Sequence, residues 1–387
     1  MINLLPKTLL QKKSPIEELK KLKTKYHGSE PIMDLTEGMP NYFPDKTLIK
    51  YFVNEIEQKE TALYSERGGF KELKTLLAFN YSKCYQARIN KENILITSGC
   101  NNAFAILVLT LFKEGDEVLL LSPYYFNHRM FLEMEGIMIK YIDTTKNNMV
   151  DVSVVHKLIT KKTRAIILTN PVNPTGYIIP NKVLLDLYYF CAENNIFLVI
   201  DETYKSFIFN QSTPHDLFKI KSWANNFISL QSLSKDYALC GYRIGAIISK
   251  NQVLQEMLKV SECISVSPST IGQKVAIISL KLGEKEKCKN IKYITNKGNY
   301  FKAAMRNLNE NFQLVSHGVF FGWVKHNFNT PTEKVVSQLI LSMGVLVLPG
   351  NLFVPNKNRF IRISYSTLNY KEIDELVIRL NSLKITN

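Results

Sequence analysis

Short apolar runs alternate with amphipathic stretches through the middle of the chain. From about residue 93 to residue 250, runs such as "NILITSG", "EVLLLSP" and "IFLVIDE" consist mostly of β-branched and other apolar residues. Longer stretches of helical character separate them. Strands that are apolar on both faces and alternate with helices are typical of a buried parallel sheet. The pattern predicts an α/β fold with a mostly parallel, seven-stranded sheet sandwiched by helices.

The rhythm changes in the last third of the chain. Helical stretches near 268–282 and 284–309 precede the strand-like runs "GVFFGWVKH", "VLVLPG" and "RFIRISYS", and a last helix begins near Tyr370. This mixture predicts a smaller α+β domain, with which we expect the N-terminal arm to pack. The predicted divisions are 1–45 for the arm and part of the small domain, 46–285 for the large domain, and 286–387 for the C-terminal small domain.

Composition places the chain among ordinary globular proteins. Of its 387 residues, 45% are hydrophobic and 21% are charged, which suits a sequence with more than one domain. The N-terminal "MINLLPKTLLQKKS" has no cleavage site and no apolar run is long enough to span a bilayer, so we expect a cytoplasmic protein without a membrane partner. Six cysteines without a CxxC pair indicate reduced thiols, and we expect no metal site.

The net charge of +15 raises the question of a nucleic-acid or anionic lipid partner. The lysines are spread along the whole chain, however, and no dense basic run with interleaved aromatic residues occurs. We therefore expect no nucleic-acid partner. We interpret the positive charge as reflecting either a proteome that is rich in lysine or a general preference of this protein for anions.

One segment, "SLSKDYALCGYRIG", combines a lysine, an arginine and two hydroxyls, and it begins at Ser232. Lys235 has apolar neighbours, and partial desolvation lowers the pKa of an ammonium and makes the amine a nucleophile toward carbonyl groups. Arg243 stands among glycines, where the backbone can approach a ligand, and its guanidinium suits a bidentate anion. Ser234 adds a second hydroxyl. A lysine at a strand end is usually only a snorkelling side chain, so the partners of Lys235 decide the interpretation.

Further polar residues lie where predicted strands end, which is the edge at which open α/β sheets bind ligands. The turn "TSGCNNA" ends a strand and opens a helix, so the amides of Gly99, Cys100 and Asn101 can hold a phosphate on the helix dipole. Asp201 closes the strand "FLVID", and a carboxylate buried there needs a partner. A protonated ring nitrogen would serve.

Three more residues could hold a planar ligand. Asn173, in the rigid loop "TNPVNPTG", and Tyr204, just past the "FLVID" strand, can donate hydrogen bonds, and Tyr125 can lay its ring on a flat molecule. Each alone could be structural. Together the candidates provide an amine, a phosphate cradle, a carboxylate for a ring nitrogen, donors for a phenolic oxygen and a stacking ring. These parts describe pyridoxal 5'-phosphate (PLP) held as a Schiff base.

These segments resemble, in order, those of the class I and II aminotransferases, which have the aspartate aminotransferase fold, fold type I of the PLP enzymes. The resemblance rests on "DLTEGMP", "LYSERGGFKEL", "TSGCNNA", "SPYY", "NPVNPTG", "VIDETY", "SLSKDYALCGYRIG" and "RFIRIS", from about Asp34 to Tyr365. It implies transfer of an amino group from an L-amino acid to a 2-keto acid by ping-pong chemistry. "PYYFNHRM" and "KVSECISVSPSTIGQKVA" look most like a branch that handles aromatic or other neutral amino acids.

The resemblance implies a role for each matching residue. Lys235 forms the Schiff base and then moves a proton, while Asp201 holds the protonated ring nitrogen. Asn173 and Tyr204 bind the phenolic oxygen, and Tyr125 stacks on the ring. The remaining cofactor ligands on this chain are Gly99, Cys100, Asn101, Ser232, Ser234 and Arg243.

The resemblance also implies a substrate site and a homodimer. Arg362 pairs with the α-carboxylate of the substrate, helped by Gly38 and Asn173. In "FIRIS" the arginine alternates with isoleucines, and a buried arginine on such a strand needs an anion. Tyr64 reaches the phosphate of the partner subunit in this family, so the sites are shared between subunits. Arg67, near the expected interface, could contact an anionic substrate or only solvent.

Two other interpretations stay open at this point. β-Lyases, cyclases and oxidases of arginine-like substrates share every cofactor residue named above. A non-enzymatic regulator with an aminotransferase-like domain is the more distant alternative. Such regulators carry an extra DNA-binding domain, whereas only about thirty residues precede "DLTEGMP" here, and the lysine is present. Fold alone would not decide among these functions.

Overall fold

A mostly parallel sheet of seven strands lies at the centre of the molecule, as the alternating pattern predicts. The computed structural model describes residues 15–144, 150–208, 212–356 and 358–385. The strands, numbered along the chain, are β1 (Met33–Asp34), β2 (Ile94–Thr97), β3 (Glu117–Ser122), β4 (Met138–Asp143), β5 (Thr163–Thr169), β6 (Phe197–Asp201), β7 (Phe227–Ser232), β8 (Gly245–Ile248), β9 (Phe312–Gly318), β10 (Phe321–His326), β11 (Val345–Leu346), β12 (Leu348–Pro349) and β13 (Phe360–Ser364). The central sheet has the order β2-β8-β7-β6-β5-β3-β4, and β8 runs antiparallel to both of its neighbours.

Burial on both faces explains why the central strands are almost wholly apolar. Ile166 and Leu168 of β5 face one apolar cluster, whereas Ile167 between them faces another. Alternate residues of a strand point to opposite faces, so both sets are removed from water. Burying each such side chain stabilises the fold by roughly 1.5–3 kcal/mol.

Helices cover the sheet and form much of the smaller domain. They are α1 (Pro15–Lys20), α2 (Lys46–Ile56), α3 (Lys71–Tyr85), α4 (Cys100–Leu111), α5 (Phe126–Met134), α6 (Val152–Leu158), α7 (Asn181–Glu193), α8 (Asn251–Ser265), α9 (Thr270–Leu282), α10 (Glu284–Ala304), α11 (Thr332–Met343) and α12 (Tyr370–Ser382). The predicted alternation of strands and helices and the predicted sheet sandwiched by helices are therefore confirmed.

The smaller domain is built on an antiparallel sheet with the order β12-β13-β10-β9. The short strand β1 pairs in parallel with β11, so that Met33 lies opposite Val345. Leu35, which follows β1, shares an apolar cluster with Ile361 and Leu376. The N-terminal segment thus packs with the C-terminal part of the chain. The domain boundaries at 45 and 285 stay predictions.

Two strand-like runs of the sequence are divided in the structure. "GVFFGWVKH" contains the turn between β9 and β10, and Val319 takes a left-handed backbone conformation there, with φ of 55°. "VLVLPG" contributes β11 to the pair with β1 and β12 to the antiparallel sheet. Because apolar residues form the bends themselves, Val319 and Phe320 in one run and Val347 in the other, each run resembles one continuous strand in the sequence.

The structure also bears on membranes, metals and cysteines. Within the described ranges, no helix combines the length and the apolar character needed to cross a bilayer. The same ranges contain no group of three or more His, Cys, Asp or Glu side chains arranged to hold a metal ion. All six cysteines are free thiols, and Cys263 and Cys288 are exposed.

Candidate active site

A cavity of about 260 Å³ opens at the carboxyl edge of the large sheet. Thr169, Asp201 and Ser232, the last residues of β5, β6 and β7, all line it. Of the site residues predicted from the sequence, all but Gly99 and Tyr64 line this one cavity. They are Gly38, Cys100, Asn101, Tyr125, Asn173, Asp201, Tyr204, Ser232, Ser234, Lys235, Arg243 and Arg362.

Lys235 follows β7 and carries its amine into the cavity. Nζ donates a hydrogen bond to the carbonyl oxygen of Gly38 at 2.7 Å and lies 3.8 Å from Sγ of Cys240. The hydroxyl of Tyr42 donates to the backbone carbonyl of Lys235. Burial lowers the pKa of Lys235 below its ordinary value of 10.5. A larger share of this amine is therefore neutral and nucleophilic than in a lysine exposed to water.

Asp201 is 5% exposed at the end of β6. The amide of Thr203 donates to Oδ1 at 3.0 Å, and Nε2 of His128 lies 3.2 Å from Oδ2 without the geometry of a hydrogen bond. Burial alone would raise the pKa of Asp201, but His128 and Thr203 hold it below its ordinary value of 3.8. The side chain is a carboxylate with unused acceptor capacity, as a cationic ring nitrogen requires.

His128 is a site residue that the sequence reasoning missed. Its imidazole stacks on Phe104 with ring centres 4.1 Å apart, and it contacts Tyr125 edge to face at 5.2 Å. The sequence did contain a pattern that could have indicated His128, because residues three positions apart on a helix lie on the same face. Tyr125 stands immediately before α5, so His128 in "PYYFNHRM" lies on the side of the helix that faces Asp201.

The start of α4 forms a cradle for an anion. Gly99 caps this helix with φ of 86°, and a Cβ atom at Gly99 would lie 2.3 Å from Nη2 of Arg243. Glycine is therefore needed both for the backbone conformation and for the space. Nη1 of Arg243 donates to the carbonyl of Cys240 at 2.9 Å. A guanidinium beside the positive end of a helix dipole is favourable only if an anion lies between them.

Hydroxyl groups complete the walls of the cavity. The Ser232 hydroxyl oxygen accepts the amide of Ser234 at 3.1 Å, which leaves its proton for a ligand. The Tyr125 hydroxyl accepts from the side-chain amide of Asn127 at 2.8 Å, and burial raises the pKa of Tyr125. Burial also raises the pKa of Tyr204 well above its ordinary value of 10. Both phenols thus remain protonated donors at neutral pH.

Arg362, on β13, is 2% exposed. Nη1 donates to Oδ1 of Asn173 at 3.0 Å and Nη2 donates to the carbonyl of Thr36, while Nε has no hydrogen-bond partner in the described part of the chain. The guanidinium carbon lies 4.8 Å from the ring centre of Phe321 and 4.9 Å from that of Phe353. Burial lowers the pKa of Arg362 to about 10. No ion pair with a carboxylate is seen for it among the described residues, so this buried charge lacks a counter-ion.

Tyr64 and Arg67 lie away from the cavity. The side chain of Tyr64 is 81% exposed, and Leu63 beside it is exposed as well. Nη1 of Arg67 pairs with Oε2 of Glu262 at 3.0 Å and remains largely in solvent. In the single chain, Arg67 therefore contacts a carboxylate of α8. The role of Tyr64 at a partner subunit stays a prediction.

These residues fit PLP. Arg243 and the first turn of α4 are both positive and would bind an anion such as a phosphate. The absence of a side chain at Gly99 lets Arg243 lie close to the start of this helix. Oδ2 of Asp201 faces the poorly aligned imidazole of His128 at 3.2 Å, which leaves it acceptor capacity for a protonated ring nitrogen. Lys235 supplies an amine of lowered pKa in the same cavity. Arg362 lies in the same cavity and remains for a second anion.

The comparison with known families agrees with this chemistry. The sequence model of the family described as aminotransferase class I and II matches residues 30–380. The chain belongs to this family. Because aminotransferases of these classes use PLP, the cofactor and the enzyme class that the motifs predict, a PLP-dependent aminotransferase, are confirmed.

Individual relatives of this aminotransferase cover nearly its whole length. An aspartate aminotransferase of Pyrococcus abyssi is 25% identical over 374 residues, 95% of each chain. Aromatic-amino-acid aminotransferase 2 of Thermococcus litoralis is 25% identical over 383 residues, again 95% of each chain. A single-mutant aspartate aminotransferase of Thermus thermophilus, 22% identical, superimposes with a TM-score of 0.88 over 98% of this chain and 99% of that one. The aspartate aminotransferase fold is therefore confirmed.

Proposed function

We propose that this aminotransferase takes its amino group from L-amino acids with aromatic or other neutral side chains and passes it to a 2-keto acid. Residues of the cavity described above would hold the cofactor and both substrates in turn. The observation that carries the proposal is Arg362, a buried guanidinium without a counter-ion in the same cavity as the amine of Lys235. An α-carboxylate would fit its planar fork, with Asn173 fixing its orientation.

Each step of the transfer needs a residue of this chain. PLP, when bound, supplies an electron-poor ring that stabilises the negative charge left when a proton leaves the substrate α-carbon. Asp201 would hold the ring nitrogen in its protonated form. Lys235 would bind the cofactor's aldehyde carbon at rest and, once displaced by the substrate amine, would move the α-proton. The lowered pKa of Lys235 suits both tasks.

The charges around the cavity favour substrates with neutral side chains. Among the described residues that line it, the cations are Lys235, Arg243 and Arg362, and each already has a proposed ligand. The carboxylates that line it are Asp201, with its proposed role at the ring nitrogen, and Glu37, which pairs with Lys20. A second carboxylate on the substrate would therefore meet repulsion and no free cation.

Apolar side chains also line the cavity. Ile16, Met39, Phe126 and Phe321 line the cavity. They offer an aromatic or aliphatic substrate side chain a surface that excludes water. The relative from Thermococcus litoralis is named for aromatic amino acids, which supports the same choice.

The proposal includes a homodimer in the cytoplasm with Tyr64 reaching the partner's cofactor. Phe43, Leu63 and Tyr64 are large hydrophobic side chains that the single chain leaves mostly exposed. Large exposed hydrophobic side chains are typical of a surface that another subunit covers. Sedimentation of the purified enzyme checks the stoichiometry, and a monomer would remove Tyr64 from the site.

The near-visible absorption of the purified PLP enzyme tests the reaction and its substrates together. Phenylalanine, tyrosine, methionine, aspartate and glutamate are added singly, followed by a keto acid. We expect the neutral amino acids to convert the resting band into that of the amino form of the cofactor, and the keto acid to restore it. Release of ammonia, pyruvate or peroxide without that form would instead indicate elimination, cyclisation or oxidation. Conversion by aspartate alone would overturn the proposed substrate class.

A further inference from the structure

A second buried lysine, Lys297 on α10, has no place in the site described above. It is 1% exposed. Its Nζ donates to the carbonyl of Ser366 at 2.8 Å and to Oδ1 of Asn41 at 3.1 Å, and lies 4.4 Å from the ring centre of Tyr293. No ion pair with a carboxylate is seen for Lys297 within the described part of the chain. Burying an ammonium in this way is unfavourable unless its contacts compensate.

Both hydrogen-bond acceptors of Lys297 belong to segments that approach the cavity. Asn41 lies in the loop between β1 and α2, the loop that contains Gly38. Ser366 follows β13, the strand that carries Arg362, and its hydroxyl donates to the carbonyl of Met39 at 2.6 Å. Lys297 therefore joins two segments that are distant in the sequence.

The same loop touches the cavity from its other side. The carbonyl of Gly38 accepts the amine of Lys235 at 2.7 Å, and the carbonyl of Thr36, two residues earlier, accepts Nη2 of Arg362. Any shift of the loop would move both of these carbonyls. The ammonium of Lys297 thus lies behind the groups that surround the proposed carboxylate position.

We propose that Lys297 is a positioning residue for the substrate α-carboxylate, because it fixes the loop of Gly38 against the segment that follows Arg362. This inference rests on the proposed function, since it takes Arg362 and Gly38 as the carboxylate site. Lys297 itself touches neither substrate nor cofactor. Its loss would loosen the binding of amino acid and keto acid alike, while the amine of Lys235 would keep its reactivity.

The test compares Lys297→Met with Lys292→Met in the full-length PLP enzyme. Lys292 lies on the same helix but is exposed, so it controls for the loss of one positive charge. We expect Lys297→Met to raise KM for both substrates by about tenfold or more, the scale of a lost hydrogen bond to a charged group. We expect kcat to stay within about threefold, because no catalytic group changes. Lys292→Met should leave both constants unchanged.

Amide hydrogen exchange gives a readout that does not depend on turnover. Peptides covering residues 36–42 should exchange faster in Lys297→Met than in the parent enzyme or in Lys292→Met, because the loop loses one of the hydrogen bonds that hold it. A purely structural role for Lys297 would lower the unfolding temperature without a selective change in this loop or in KM.

Asn41→Ala keeps the buried lysine and its bond to Ser366, but removes the acceptor of Lys297 in the loop together with the bonds that the Asn41 amide donates to Tyr293 at 3.1 Å and to the carbonyl of Thr367 at 3.3 Å. It serves if Lys297→Met does not fold. The two substitutions together should cost less than the sum of their separate effects on KM, as expected for residues in one network. Unchanged KM and unchanged exchange in both single variants would overturn the role of Lys297. If instead Arg362→Lys also left KM unchanged, the proposed carboxylate site itself would be wrong.

Discussion

Two carboxylates that are neighbours in the chain lie on opposite sides of the large sheet. Asp201 is 5% exposed and Glu202 is 1% exposed, both at the carboxyl end of β6. Asp201 lines the cavity, whereas the carboxylate of Glu202 lies on the core side beside Tyr85 and His215. Their burial is nearly the same, so the difference between them must be sought in their partners.

Glu202 is surrounded by donors and Asp201 is not. Oε1 of Glu202 accepts from Tyr85 at 2.7 Å and lies 3.0 Å from Nε2 of His215. Its Oε2 accepts from the side chains of Ser229 and Gln231. Asp201 accepts one well-defined hydrogen bond, from the amide of Thr203, and its other neighbours are the Thr203 hydroxyl, the Cys100 thiol and a poorly aligned His128. Buried polar groups in folded proteins are normally satisfied, so the incompletely partnered carboxylate is the one that a ligand must complete.

The same contrast separates two buried arginines. Arg379, on α12, donates to Glu375 at 2.8 Å and to the carbonyl of Pro31 at 2.8 Å, and it lies 3.5 Å from Glu30. Arg362 has an amide and a carbonyl as partners, and no carboxylate pairs with it among the residues that the structure describes. Arg379 therefore serves the fold, and Arg362 is available to a substrate.

Of the substitutions proposed here, Lys235→Ala should have the largest effect on turnover. Removing the amine should lower turnover by at least roughly 10⁴-fold, since general acid–base catalysis alone reaches that size. The absorption band that arises from the bond between Lys235 and the cofactor should disappear as well. Lys250→Ala, an exposed lysine just before α8, is the matched control. Turnover retained by Lys235→Ala would show that the site has been assigned wrongly.

Arg362→Ala sharpens the contrast between the two arginines. We expect the amino acid to bind more weakly by about 2–5 kcal/mol, the cost of removing one partner of a buried charge pair, with the cofactor content unchanged. Arg379→Ala should lower the free energy of unfolding and leave KM nearly unchanged. Loss of cofactor from Arg362→Ala would instead make Arg362 structural.

Glu202→Gln should affect stability and spare the reaction. An amide in place of the carboxylate leaves a donor facing donors, so the free energy of unfolding should fall by about 1–3 kcal/mol, measured with urea. Burial alone would raise the pKa of Glu202, but His215, Ser229 and Tyr85 bring it below its ordinary value of 4.5.

A carboxyl group with a lowered pKa in the folded chain stabilises the fold above its ordinary pKa. The stabilisation by Glu202 is therefore complete above pH 4.5 and is lost as the pH falls through the lowered value. Accordingly, the difference between the parent enzyme and Glu202→Gln should shrink in acid. A difference that grows in acid, or a large loss of turnover at neutral pH, would contradict the structural role.

Much of the fold and the site follows from local patterns in the sequence. Buried parallel strands appear as apolar runs, and ligand-binding residues lie where those runs end, which brought Asp201 and Ser232 to one edge. Gly99 could be predicted because a strand-to-helix turn that binds an anion requires glycine. Most of the other ligands followed from the family resemblance.

Contacts between distant segments could not be predicted in this way. Lys297 and Asn41 are 256 positions apart, and no periodicity indicates that they meet. His128 escaped notice because it lies on α5, whereas its partner Asp201 lies at the end of β6, far away in the sequence. The turn at Val319 and the division of "VLVLPG" depend on tertiary packing that overrides local propensity.

Asp201→Asn tests the central claim most directly, because it replaces the incompletely partnered carboxylate by an amide of nearly the same size. Turnover of the PLP enzyme and urea unfolding of the protein without PLP are measured on one preparation, beside Glu202→Gln. Turnover of Asp201→Asn should fall by about 100-fold or more, the scale of one lost electrostatic contact in a water-excluded site. Its free energy of unfolding should change less than that of Glu202→Gln. An Asp201→Asn enzyme that keeps its turnover but loses more stability than Glu202→Gln would contradict the account.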